Sequence, residues 1–256
     1  MIGKDKIDLG VSHTVEYEID VQGSTSIKQL YRHFAPPMQA RIKIELEKLL
    51  GQGIIEPSMS PWASPLVPVQ KKNGKLCICV DFRAINNITK KYLFPLPCIA
   101  NAVNHFSSSK YISSLDLLSG YHQIPLSAAS KEITAFSTGD ELYLYMGLHF
   151  RLTNAPAAFS QLISIVMGGI SLDKSQIYLD NILIAGFDFD YRFRNLNEVL
   201  NRLTTHGLKL NASKCALFHE KVDYFSHEIS TEGIRLLQTN IQTILEFPLP
   251  KTVKQL

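Results

Sequence analysis

Two acids and an amide at the ends of short apolar runs are the residues of this chain best suited to chemistry. In QIYLDNILIA (176–185), two apolar runs are broken by the polar pair Asp180-Asn181, with Tyr178 just before it. In YISSLDLLSGYHQIPL (111–126), a run that reads as a strand ends at Asp116, ahead of a short turn. A tight turn, or the carboxyl end of a strand, carries a side-chain oxygen toward a cleft, where it offers a ligand to a hard cation. The same residues have a plain structural use. Asp and Asn are favoured in tight hairpins and tolerate positive φ, and an Asp before a helical turn is a cap. From these residues alone both readings stand.

Other chemistries are less well supplied. The four cysteines, Cys77, Cys79, Cys98 and Cys215, contain no C-x-x-C pair, and none of the eight histidines gives a zinc spacing beside them. They read as buried, reduced thiols. The formal charge of +3 leans toward a polyanionic partner and carries little weight by itself. MIGKDKIDLG lacks the apolar core of a signal peptide, and no run approaches the roughly 20 apolar residues of a membrane span. The expectation is a soluble, intracellular chain, cytoplasmic or nuclear, with no membrane partner.

The elements that must position these residues follow from local pattern. With 256 residues and 45% apolar composition, the chain can bury the core of one large domain or of two or three subdomains. Residues 1–34 are mixed and polar, with TVEYEIDV (14–21) as a candidate strand. From Pro36-Pro37 to Gly51 the pattern predicts an amphipathic helix with Ile42, Leu46, Leu49 and Leu50 on one face. SPLVPVQKKNGKLCICVDF predicts a hairpin around Asn73-Gly74, with Lys71 and Lys72 exposed at its tip. FPLPCIANAV predicts a short helix. EITAFSTGDELYLYM predicts a second hairpin about Gly139-Asp140, and NAPAAFSQLISIVMGGI a helix opened by Asn154 and Pro156 and closed by Gly168-Gly169. QIYLDNILIA is a third hairpin with its turn at Asp180-Asn181. Residues 190–207 predict an amphipathic helix with an Asp start and a Gly207 stop, followed by the short runs LKL, CALF, VDYF and HEIS. Hairpins and helices in this order predict an α+β fold. The tail PKTVKQL reads as a helix start that has been cut.

Seven blocks then follow one another: IIEPSMSPWASPLVPVQKKNGK, CVDFRAIN, YISSLDLLSGYHQIPL, ITAFSTGDELY, LTNAPAAFSQL, IYLDNILI and LKLNASKCALFHEKVDYF. In content, order and spacing, from about Gln39 to the end, they closely resemble the reverse transcriptase of gypsy-type LTR retrotransposons, an RNA-directed DNA polymerase domain of a Pol polyprotein. The resemblance implies an α+β right-hand polymerase fold. It divides the chain into an N-terminal extension (1–34), fingers (35–93 and 123–160), palm (94–122 and 161–232, with metal hairpin and primer grip) and the start of a truncated thumb (233–256). It also implies template-directed transfer of deoxynucleotides to a primer 3′-hydroxyl, with two Mg²⁺ ions, an RNA or DNA template with primer, and deoxynucleoside triphosphates as partners.

Position by position, the resemblance makes Asp116 the first metal-binding acid and Asp180 the second, with Asn181 where the third belongs. Lys214 matches a lysine that protonates pyrophosphate. Lys71, with Lys72 as runner-up, matches the lysine on the triphosphate. Tyr121 matches the residue under the nucleotide sugar, and Leu117, Phe150 and Arg151 line the nucleotide pocket. Asn154, Pro156, Tyr178, Tyr224, Phe225 and Ser226 fall on the template and primer path. Several positions depart from the family pattern: Cys77 stands for an arginine, His149 for a proline, Arg151 and Ser226 for glycines, and Glu228 for an apolar residue. The neutral Asn181 removes a full charge from a site that holds two dications, so one metal site is weakened and the expected activity is impaired or lost. The alternative is a non-catalytic nucleic-acid-binding relic of the same fold.

Overall fold

The computed structural model describes residues 9–71, 74–95, 111–171, 175–178, 181–186, 188–224, 227–230 and 233–246. The first half holds α1 (Pro36–Gly51), β1 (Ile55–Pro57), β2 (Ser64–Gln70), β3 (Leu76–Val80), α2 (Arg83–Ile88) and β4 (Tyr111–Asp116). Then come α3 (Ala128–Ile133), β5 (Phe136–Ser137), β6 (Leu142–Tyr145), α4 (Ala155–Val166), β7 (Ser175–Tyr178) and β8 (Asn181–Gly186). The chain continues through α5 (Phe189–Thr205), β9 (Ala216–His219), β10 (Lys221–Tyr224), β11 (His227–Ser230), β12 (Gly233–Leu236) and α6 (Gln238–Leu245). The predicted helix in FPLPCIANAV and the predicted helix start in PKTVKQL lie mostly or wholly outside the described residues.

The chain divides into two compact units, and residues 1–96, 116–169 and 199–213 make the first. Its sheet has the order β1-β6-β5-β2-β3. β2 and β3 form the predicted antiparallel hairpin, with Val69 opposite Cys77 and Val67 opposite Cys79. The loop is closed where the Lys71 N–H donates to the Lys75 carbonyl at 2.8 Å and the Gly74 N–H to the Lys71 carbonyl at 2.9 Å. Gly74 takes φ +77° there, a conformation open to glycine and costly to most side chains. The hairpin about Gly139 also forms, as β5 and β6. A parallel pairing of β2 with β5, through Ser64↔Phe136, joins the two hairpins. Under the sheet lie Leu66, Phe82, Ile85, Phe136, Tyr145 and Phe159, each at most 2% exposed.

Helix α1 buries Ile42 and Leu46, one turn apart, against this core, while Leu49 and Leu50 are half-buried. In α4, seven apolar or small residues from Ala155 to Val166 are buried. Asn154 holds the N-cap position of α4 without capping it, which corrects the sequence reading. Its amide instead donates to the Lys90 carbonyl at 2.8 Å and accepts the Tyr92 N–H at 3.4 Å, so it binds the segment after α2 to the start of α4.

The amino-terminal segment forms no strand over 14–21, where one was predicted, yet Tyr17 and Ile19 are buried. Main-chain bonds lay it along this unit: Ser12 N–H to the Gln123 carbonyl at 2.7 Å, Tyr17 N–H to the Pro125 carbonyl at 2.8 Å, and Gln29 N–H to the Ala63 carbonyl at 2.8 Å. Its partners are loops and isolated bridges at Leu208, Leu126 and Ala63, so the ladder that defines a strand never develops.

Residues 97–115, 170–198 and 214–256 make the second unit. β7, β8, β4 and β9 form a four-stranded sheet in that order. Ile182, Leu183 and Ile184 of β8 are all fully buried, so both faces of that strand are covered. β9 is kinked: Phe218 sits at φ +58°, the register slips between Ile112 and Ser114 of β4, and the Phe218 N–H donates to Ser113 Oγ at 3.1 Å. The Phe218 ring is covered by the buried Arg192 guanidinium, 4.9 Å from its centroid, and by Phe189, 5.0 Å away. Helix α5 is capped by Asp188, whose Oδ1 accepts the Tyr191 N–H at 2.6 Å. Asp190 lies in the first turn, where its charge faces the helix N-terminus. Gly207, at φ +73°, follows the helix end as expected. β10, β11 and β12 make an antiparallel meander. On it Glu228 is paired with the Lys221 ammonium at 3.2 Å, and its register partners on the flanking strands are Asp223 and Arg235.

Candidate functional site

The third hairpin carries the central finding about the site. β7 and β8 pair through Tyr178↔Asn181, so Asn181 is already the first residue of the returning strand and not part of the turn. This corrects the expectation that the turn is Asp180-Asn181. Leu179 and Asp180 lie outside the described residues. Asn181 is half-buried. β8 is the sheet neighbour of β4, whose last residue is Asp116. Asp116 is 7% exposed, and its main-chain carbonyl accepts the Asn211 N–H at 2.9 Å.

Beyond Asp116 the chain is braced by Gln123, a residue the sequence reading passed over. Its fully buried amide donates to the Leu118 carbonyl at 2.7 Å and the Lys209 carbonyl at 3.0 Å, and accepts the Lys209 N–H at 2.8 Å. One side chain thus ties the segment after Asp116 to the segment before Asn211, and fixes where β4 ends. The signal was present as a lone amide in the apolar stretch GYHQIPL, which must find partners when buried. Leu117, named with the nucleotide pocket, is 2% exposed and bridges Leu210, so its side chain belongs to the core.

Tyr121 lies in a 3-10 turn, Gly120–Gln123, entered through Ser119 at φ +50°. Its half-buried ring rests on Phe159 of α4, with centroids 5.1 Å apart. A Cβ on Gly120 would meet that Phe159 ring at 2.8 Å, so Gly120 is what lets the turn approach α4. Pro156 is half-buried in the first turn of α4.

Arg151 and Phe150 are exposed, with the guanidinium carbon 5.7 Å from the ring centroid. The Arg151 backbone is pinned twice: its N–H donates to His149 Nδ1 at 3.1 Å, and its carbonyl accepts from Asn86 Nδ2 at 2.9 Å. Asn86 Oδ1 also accepts the Thr153 N–H at 2.9 Å, so Asn86 is a second positioning residue that the sequence reading missed. His149 is 1% exposed among Phe82, His122, Tyr145 and Phe150, with ring centroids 4.4 to 5.8 Å from it. Burial holds the His122 imidazole down to about 4. It holds His149 well below its usual value, with repulsion from His122 and Arg151 added.

Lys71 is exposed at the β2–β3 hairpin, and Lys214 is exposed at the end of a 3-10 turn, Ala212–Lys214. Tyr178 and Tyr224 end β7 and β10, their side chains outside the description. Lys72, Phe225 and Ser226 lie outside the described residues altogether. Among the described residues no cluster of three His, Cys, Asp or Glu side chains is poised for a metal. Asp116 offers a carboxylate and Asn181 an amide oxygen, donor types that suit a hard cation. Among the described residues, no helix is long and apolar enough to cross a membrane.

The family described as reverse transcriptase (RNA-dependent DNA polymerase) matches residues 69–229. The chain belongs to that family, as the reverse transcriptase domain of retrotransposon Pol polyproteins. It is 34% identical over 215 residues to the retrovirus-related Pol polyprotein from transposon 412 of Drosophila melanogaster, covering 82% of this chain and 17% of the polyprotein. It is 31% identical to the Pol polyprotein from transposon opus of the same fly, covering 97% of this chain and 25% of the polyprotein. The transposon Tf2-7 polyprotein of Schizosaccharomyces pombe is 29% identical over 94% of this chain and 18% of its own length. The chain thus spans a quarter or less of the curated relatives it matches.

The fold is that of the foamy viral protease-reverse transcriptase. The form solved with an RNA/DNA hybrid superposes with a TM-score of 0.87 at 22% identity, over 99% of this chain and 34% of that one. A form solved with double-stranded DNA gives 0.89 at 22% identity, over 99% of this chain and 44% of that one. The α+β polymerase fold expected from the sequence is the fold observed.

Proposed function

We propose that this chain is the fingers, palm and beginning of the thumb of a gypsy-type reverse transcriptase, and that its activity is impaired by Asn181. The observation that carries the reading is the register of the β7–β8 hairpin. It makes Asn181 the first residue of a strand beside the one that ends at the buried Asp116. Asp116, Asp180 and Asn181 would hold Mg²⁺. When bound, that ion lowers the pKa of a primer 3′-hydroxyl and stabilises the pyrophosphate leaving group.

The chain's own residues supply the rest. Tyr121, backed by Phe159, offers a firm ring under a deoxyribose and no room for a 2′-hydroxyl. Lys71 and Arg151 are exposed cations of the first unit suited to a triphosphate, and Lys214 is a donor for the proton that pyrophosphate takes. Asn154, Pro156, Tyr178, Tyr224, Phe225 and Ser226 line the path of a template and primer of RNA or DNA. Leu117 would contribute through its main chain. Residues 35–93 and 123–160 would be the fingers, and 94–122 and 161–232 the palm.

Two unit charges about 4 Å apart at an effective dielectric near 20 interact by on the order of 4 kcal/mol, about a thousandfold in a rate constant, so the loss of one carboxylate charge is large enough to impair catalysis. Primer extension by this chain and by Asn181→Asp, with Mg²⁺ and separately with Mn²⁺, tests the proposal. The expected outcome is weak or undetectable extension by the parent and a gain of two to three orders of magnitude in the variant. Robust extension by the parent would remove the claim of impairment, and an inactive Asn181→Asp would move the lesion elsewhere.

A further inference from the structure

Cys77 and Cys79 lie two residues apart on β3, and alternation along a strand sets both side chains on one face. The Cys79 S–H donates to Cys77 Sγ at 3.8 Å. Both thiols are free. They differ in access: Cys77 is half-buried, whereas Cys79 is 3% exposed. Among the described residues β3 is the last strand of its sheet, hydrogen-bonded to β2 alone and preceded by the loop that the Lys71–Lys75 bond closes. We propose that Cys77 and Cys79 form a thiol-oxidation site, in which Cys77 is oxidised by hydroperoxides and Cys79 resolves the product as a reversible intrastrand disulfide.

The surroundings favour Cys77 as the attacking sulfur. The hydrogen bond from Cys79 lowers its thiol to about 6, against opposing burial and the Glu45 carboxylate of α1, with help from the cations Lys71 at the hairpin loop and Arg151 before α4. Donating that proton, together with burial, raises Cys79, so the inner thiol keeps its hydrogen while the outer one carries the charge. The thiolate is the species that reacts, and a neighbouring thiol within reach diverts the product from over-oxidation.

The chemistry balances in two steps. The Cys77 thiolate attacks the O–O bond of the hydroperoxide; that bond breaks, the released oxyanion takes a proton to leave as water or an alcohol, and Cys77 becomes a sulfenic acid. The Cys79 thiol then attacks the Cys77 sulfur; an S–S bond forms, the S–O bond breaks, and hydroxide leaves as water with the Cys79 proton. Two thiols and one hydroperoxide give one disulfide, one alcohol or water, and one water. Residues two apart on a strand have Cα atoms about 6.4 to 6.8 Å apart, the long end of the range a disulfide tolerates. An edge strand with a single ladder can shorten to close the bridge, and a bridge closed under strain is readily reduced.

The test needs no polymerase activity, so its outcome is independent of the function proposed above. Trypsin releases Leu76–Arg83, LCICVDFR, which holds both cysteines and neither of the others. The folded chain is treated with hydrogen peroxide, its free thiols are alkylated, and this peptide is weighed. The expected product carries no alkyl group, is lighter by two hydrogen atoms than the reduced peptide, and regains two alkylation sites after treatment with dithiothreitol. In Cys79→Ser, dimedone should label Cys77 as the trapped sulfenic acid. Without peroxide, alkylation at neutral pH should reach Cys77 at least tenfold faster than Cys79. A peptide that stays doubly alkylated after peroxide, or one that passes to sulfinic or sulfonic acid without a bridge, would overturn the proposal.

Discussion

At the residue scale, the proposed function turns on charges gained and lost at single positions. Asn181 keeps the size of an aspartate and gives up its charge, which is why the rescue by Asn181→Asp is the sharpest test of the polymerase reading. The two buried histidines give a second prediction, on stability. An unfolded chain protonates His122 and His149 near their ordinary value of 6.5, while burial refuses the proton to His122 until about 4 and to His149 until well below its usual range. Between those limits the unfolded state binds more protons, so stability is intact at neutral pH and falls as the pH drops through 6.5. Each histidine contributes a slope of up to about 1.4 kcal/mol per pH unit. Protonating His149 would also remove the acceptor of the Arg151 N–H. Urea unfolding at pH 7, 6 and 5 should show a falling midpoint, with a shallower fall in His149→Gln; equal midpoints across that range would contradict the assignment. At this scale the sequence was readable where local pattern fixes placement, as with Asp116, which ends β4 as the apolar run before it led one to expect. It was not readable where burial decides, because nothing local in LHFRLTNAP says that His149 lies among four aromatic and imidazole rings.

At the scale of elements, helix α4 is the support on which the Tyr121 turn rests. Phe159→Ala should cost about 3–5 kcal/mol of stability, the usual range for a buried phenylalanine, and should leave the Tyr121 ring without its backing. In a polymerase-active background such as Asn181→Asp, it should also reduce the preference for deoxynucleotides over ribonucleotides. Extension assays with each nucleotide class read this directly. Gly147 is as constrained: a Cβ there would lie 2.2 Å from the His122 carbonyl oxygen. Gly147→Ala should therefore lower the thermal midpoint by several degrees, and an unchanged midpoint would show that the 122–147 contact yields freely. The hairpins and the three long helices were legible because their signals are local: Asn73-Gly74, Gly139-Asp140 and the apolar stripes. The turn of the third hairpin was misplaced by one residue because Asp and Asn are equally good turn formers, and the pairing of Tyr178 with Asn181 is fixed by the strands and not by turn chemistry.

At the scale of the whole molecule, a net charge of +3 is small for a protein read as a holder of template and primer. Its contacts with phosphates must be few and local. For about four phosphate contacts, affinity for a primed template should fall roughly a hundredfold when salt is raised about fourfold. Binding that ignores salt would argue against both the catalytic reading and a purely binding role. Sheet order was the least legible feature at this scale. The parallel pairing of β2 with β5 joins residues that the sequence gives no reason to associate, since it is set by the packing of two hairpins already formed.

The amino-terminal segment has one more consequence, for the order in which the chain can fold. Its residues are made before their partners, for the Ile19 N–H bonds Ser130 Oγ, 111 positions later, and Thr14 bonds His206, 192 positions later. Contacts this distant in sequence close large loops before they return any energy, which slows folding. Until the segment near His206 and Leu208 has been made, the start of the amino-terminal segment, around Gly10 and Thr14, has nowhere to dock. A chain cut before that point should bind chaperones and aggregate, although most of its hairpins are already complete.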